Sequence, residues 1–171
     1  MRPVAVLLVG ACGATDAALG ALEVGVRDAN AFQTLRDGDI LPLRLNTNGG
    51  TDMVTVALRT RGADPRAPAV DVEVTVEGVV LGGEITTGAP RDMEPDGDGF
   101  VLWDVNLAFR SRTCCHNCRE AEVIARLEDA SGRAFEGSAR VMLARGMCPE
   151  PSVCCQSADE CPDPAIAQVC Q

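Results

Sequence analysis

The sequence predicts an all-β protein: an immunoglobulin-like antiparallel β-sandwich of about seven strands, followed by a disulfide-rich C-terminal tail. Three observations predict it. Apolar residues recur with period two, most clearly where Val70, Val72, Val74 and Val76 alternate with Asp71, Glu73, Thr75 and Glu77; no helical spacing puts those four valines on one side. Turn-forming clusters separate such runs, at Asn46 to Gly50, Arg61 to Pro68, Gly82-Gly83 and Asp129 to Gly132. No alternation of strand-like and helix-like segments is present, which argues against a parallel α/β sheet.

In chain order, the short apolar run Val4 to Val9 leads into Val9-Gly10-Ala11-Cys12. This resembles the lipobox of bacterial lipoproteins, in which small residues admit the peptidase and the cysteine thiol carries the lipid. Residues 1–11 are therefore expected to be a lipoprotein signal peptide and Cys12 the acylated residue. The run is short and only Arg2 supplies the basic start, so the start codon is open. The resemblance implies a cell-envelope location anchored in the lipid bilayer. Gly13, standing where retention in the inner membrane of many Gram-negatives needs Asp, favours the outer membrane. Residues 12–21 read as a tether of small residues, 22–147 as the sandwich, and 148–171 as a cysteine-rich tail packed on it.

Within the sandwich, further strands are expected at Leu41-Leu43-Leu45, Val54-Val56-Leu58, Val101-Trp103-Val105-Leu107-Phe109, Val123-Ala125-Leu127 and Ala139-Val141-Leu143. Trp103, sharing a face with four apolar residues, is expected in the core; the alternative is an exposed platform for stacking sugars. The last two runs form a hairpin about Ser131-Gly132, which brings Cys115 to Cys118 near Arg145 to Cys148. In the tail, Asp163 followed by Pro164 has the pattern of a helix start, so Ala165 to Cys170 is read as one or two helical turns.

Phe32, Leu35, Asp37-Gly38, Leu41-Pro42, Gly49-Gly50, Leu58-Arg59 and Arg61-Gly62 form a layout that resembles uncharacterised lipoproteins of high-GC Gram-negative bacteria with Ig-like domains. Asn46-Thr47-Asn48 and Met53 depart from the Gly-Pro-Gln and the aromatic or His more usual there. The resemblance implies an Ig-like lipoprotein domain and no known activity.

Nine cysteines less the lipid-bearing Cys12 leave eight: Cys114, Cys115, Cys118, Cys148, Cys154, Cys155, Cys161 and Cys170. An even number in an exported chain is expected to pair completely as disulfides, and sequence alone fixes none of the pairings. Cys114, Cys115 and Cys118 around His116, the only histidine, also have zinc-knuckle or redox Cys-x-x-Cys spacing; the oxidising compartment favours disulfides. Asp92, Glu94, Asp96 and Asp98, with Gly97 among them, resemble the start of a calcium loop. Position twelve is Trp103 rather than Glu and Pro95 stiffens the middle, so a solvated acidic loop is expected.

With one histidine, no tyrosine and no lysine, and with no serine in a nucleophile elbow, a non-catalytic binding or structural module of the envelope is expected, with no cofactor. The partner is an envelope protein or, in the adhesion alternative, a glycan; a carboxylate-dependent hydrolase is the remaining alternative. The formal charge of −10, with all 15 basic residues arginine, excludes nucleic acid as a natural partner and keeps the domain soluble.

Overall fold

The structure, a computed structural model, describes residues 20–45, 52–84, 91–109 and 119–144. The signal segment, Cys12, the other eight cysteines, His116, the Asn46 to Gly50 turn and the tail lie outside the described residues.

The described residues form strands β1 (Gly20–Asp28), β2 (Ala31–Thr34), β3 (Asp39–Pro42), β4 (Arg44–Leu45), β5 (Asp52–Thr60), β6 (Ala69–Val76), β7 (Val79–Glu84), β8 (Glu94–Asp96), β9 (Gly99–Phe109), β10 (Arg119–Glu128) and β11 (Ala134–Ala144). The period-two runs behave as expected in β6 and β10. Val72, Val74 and Val76 are buried and Val70 packs beside them, while Val123, Ala125 and Leu127 are buried from the facing strand. The expected hairpin is present, with β10 and β11 paired from Glu128↔Ala134 to Arg119↔Leu143. β1 begins at Gly20, two residues inside the segment that reads as tether.

Pairing runs from β1 through β11, β10, β6, β7, β9 and β5 and returns to β1, so the sheet closes into a seven-stranded barrel. The first seam is filled by β1. Gly20 and Ala21 pair in parallel with Phe135 and Glu136 of β11, and Leu22 to Gly25 pair antiparallel with Thr60 to Ala57 of β5. Thr60 Oγ1 also donates to the Ala21 carbonyl at 2.9 Å. Further along, β3 takes over against β11 and β4 against β5. Between them the chain is pushed out of the seam as a hairpin, with Gly25 to Asp28 paired to Thr34 to Ala31. Its two-residue turn, Ala29 and Asn30, has both φ values positive, 42° and 73°, the geometry that matches strand twist in a tight hairpin.

The second seam joins β7 to β9 through Gly82↔Phe109, Gly83↔Ala108 and Glu84↔Leu107. This corrects the reading of Gly82-Gly83 as a turn. The pair lies within a strand because the backbones approach so closely that a Cβ on Gly82 would overlap the Ala108 carbonyl. Gly137 plays the same part at the first seam, where a Cβ would overlap the Leu22 carbonyl. Closure removes the exposed ladders that an open sheet would present along these seams. Inside, Leu41, Leu58, Leu107, Leu127 and Leu143, with Val54, Val56, Val72, Val74, Val105 and Val123, are fully buried.

One end of the barrel is tied by a buried charge. Asp129, only 4% exposed, accepts from the amides of Asp64 (2.9 Å), Ser131 (2.9 Å) and Arg133 (3.0 Å) and from the Ser131 hydroxyl (2.5 Å), and pairs with Arg133 at 3.1 Å. The Ser131 hydroxyl first, then the three amides, hold its carboxyl well below the usual carboxylate range, against the opposing effect of burial. Asp64 is itself gripped by Arg66 and lowered to about 2. The loop of residues 61–68 is thereby fixed to the β10–β11 turn.

Because the folded-state pKa of Asp129 is depressed, its stabilisation is complete above the unfolded value of about 4 and is lost as pH falls toward the folded value. Asp129→Asn should lower the urea midpoint at pH 7 and converge with wild type in acid; parallel pH profiles would contradict the assignment. Gly137→Ala should reduce unfolding free energy by about 1–3 kcal/mol or more, the usual cost of overpacking, and an unchanged midpoint would mean that the first seam is not closed.

Candidate functional site

The outer face of the barrel carries its most organised side-chain cluster, and a register shift creates it. Val56 pairs with Val105 and Leu58 with Leu102, so Ala57 alone on β5 stands opposite both Trp103 and Asp104 on β9. The extra residue is accommodated by Asp104 at a φ of 54°, a left-handed conformation uncommon for a non-glycine residue. The bulge inverts the alternation. Phe100 and Leu102 face the core before it, and Val105, Leu107 and Phe109 face the core after it. Trp103 is therefore not a core residue as expected; it is half-buried on the outside. Arg91 donates to the carbonyls of Trp103 (2.9 Å) and Asp104 (3.3 Å) and so caps the irregular backbone.

The β1–β2 hairpin supplies the neighbours of Trp103. The Arg27 guanidinium lies 4.4 Å from the indole centroid and pairs with Asp104 at 3.2 Å. Phe32 meets Trp103 with centroids 6.3 Å apart and planes tilted by 52°, and Arg59 lies 4.3 Å over the Phe32 ring. Arg59 is forked between Glu23 at 2.7 Å and Asp96 at 3.2 Å, and Thr34 Oγ1 donates to Glu23 at 3.0 Å. The Arg59 hydrogen bond lowers the Glu23 carboxyl and, reciprocally, Glu23 raises the guanidinium; burial opposes both. Each cation–π contact at such half-exposed positions contributes about 0.5–1 kcal/mol. Together they pin the hairpin onto β5 and β9.

Beside this cluster, where β1 leaves β5, lies a cleft of about 380 Å³. Arg27, Asp28 and Gln33 line one wall, and Ile40, Pro42 and Arg44 the other, with Thr55 and Val56 between them. Thr55 Oγ1 is bound to Asn106 at 2.8 Å. A second concavity of about 410 Å³ lies over β6, β10 and β11, lined by Glu77, Glu120, Glu122, Asp37 and Arg140 among others.

The four calcium candidates do not converge on one point. Asp96 is held by Arg59 and Asp98 by Arg61 at 3.1 Å, and Asp92 accepts from the Ala67 amide at 2.9 Å. Glu94 to Asp96 form β8, joined to β9 by the two-residue turn Gly97-Asp98, with Gly97 at a φ of 60°. The Asp-Gly-Asp-Gly string is thus a hairpin turn. Among the described residues no group of three or more His, Cys, Asp or Glu is placed to hold a metal ion. Cys12, the eight tail and loop cysteines and His116 fall outside the described residues.

Arg27, Phe32, Arg59 and Asp104 are not legible in the sequence as one constellation, because four strands, one of them bulged, bring them together. No protein-family model matches the chain, and no curated protein matches it.

Proposed function

We propose that this protein is a lipid-anchored lipoprotein of the outer membrane, acting as a non-catalytic interaction module of the cell envelope. The anchor reading rests on Val9-Gly10-Ala11-Cys12, and the exported location accords with eight remaining cysteines, an even number. The barrel is read as an Ig-like Greek key. In support, the first strand is parallel to the last and antiparallel to β5, and the β10–β11 hairpin pairs with β6. The resemblance to Ig-like lipoproteins points the same way.

One observation carries the binding role: a bulge turns the only tryptophan outward, between an arginine and a phenylalanine. Trp and Arg are among the residues most enriched at interface hot spots. Cys12→Ser should abolish lipid labelling and release the chain from membranes. Trp103→Ala should stay membrane-bound and lose at least about ten-fold in cross-linked envelope partner. A wild-type chain with an unmodified Cys12 removes the anchor reading, and unchanged cross-linking of Trp103→Ala removes the interaction surface.

A further inference from the structure

The cleft beside Trp103 differs from the cluster it borders. Around Phe32 and Arg59 the carboxylates and the hydroxyl are engaged by partners within the barrel. In the cleft, by contrast, Asp28, Gln33 and Arg44 have no side-chain hydrogen bond or ion pair among the described residues. The formal charges of its lining cancel, Arg27 and Arg44 against Asp28 and Asp104. A polyanion gains nothing from such a site in a chain of net charge −10. A neutral ligand rich in hydrogen-bonding groups gains much, because the Arg and Gln forks and the Asp carboxylate can each address a pair of adjacent hydroxyls. Ile40, 52% exposed, and Val26 add an apolar surface for the C–H face of a sugar ring.

Topology excludes an extended peptide added as a strand to this edge of β5. Along this edge of β5 the pairing with β4 ends at Met53 and the pairing with β1 begins at Ala57. Only Val54 to Val56 remain between two occupied stretches, too few for a strand to run through. A volume of about 380 Å³ lies at the low end for small-molecule sites and suits a short oligosaccharide. We infer that the cleft between the β1–β2 hairpin and β3–β4 binds a neutral saccharide through Asp28, Gln33 and Arg44, with Arg27 linking its occupancy to Trp103. The inference rests on the interaction-module reading and names its ligand class.

Since the chain has one tryptophan, its emission reports this site. The full-length chain in detergent is titrated with chitotriose, cellotriose, maltotriose and mannotriose, with trigalacturonate and tetra-alanine as anionic and peptide probes. A saturable change in emission is expected with at least one neutral trisaccharide, weakened about five-fold or more by Gln33→Ala and by Arg44→Ala; both side chains are exposed and both variants should keep the wild-type melting curve. Arg126→Ala, on β10, should bind as wild type. The inference is overturned by no saturable response to any neutral saccharide, by equal affinity in the two cleft variants, or by tighter binding of the peptide or the uronate. Such a failure with Cys12 acylated and envelope cross-links retained leaves the anchored module standing, whereas a missing lipid removes the anchor while the titration still decides the ligand.

Discussion

The architecture depends on one shared strand. β1 gives its first two residues to β11 and the next four to β5, and in doing so it converts a curved sheet into a closed barrel. The junction has room only because Gly137 leaves space for the Leu22 carbonyl. From that constraint the rest of the N-terminal region follows. β1 cannot continue in the seam once it turns away from β5, so residues 26–37 leave it, and β3 and β4 fill the remaining length.

What the ejected hairpin does next links the fold to its surface. Lying over β5 and β9, it brings Arg27 and Phe32 onto Trp103 and Arg59. The bulge at Trp103-Asp104 is the complementary event on β9, since without it the indole faces the barrel interior. A left-handed aspartate is an unusual cost within a strand, and the Arg91 guanidinium offsets part of it by satisfying two strand carbonyls. Their concentration at one surface, next to a cleft with unengaged polar side chains, is the physical basis for assigning that surface a binding role.

Much of the β structure was legible in the sequence because burial on one face imposes period two. Val70 to Val76, Val123 to Leu127 and Ala139 to Leu143 read correctly, as did the turn containing Ser131-Gly132 and the loop of residues 61–68. The failures have specific causes. Gly82-Gly83 has turn composition, but close strand approach demands the same residue as a turn does. Extending the alternation back from Phe109 carries it through a bulge and places Trp103 in the core; the adjacent apolar residues Val101 and Leu102, and the in-phase pair Phe100 and Leu102, are the signal that the phase changes before Val105. The outer cluster joins residues up to 77 positions apart in sequence, from Arg27 to Asp104, and no local pattern encodes that pairing. The acidic string around Gly97 was legible as a loop, and the strand on its N-terminal side was not.

β9 changes register at Trp103 and presents the indole outside, under Arg27 and against Phe32. Acrylamide quenching of the single tryptophan in the folded full-length chain tests it directly. Measurable quenching of native Trp103 is expected, increased by Phe32→Ala and by Arg27→Ala while the fold is retained. A blue-shifted emission that acrylamide does not quench, and that neither substitution alters, would place Trp103 in the core and contradict it.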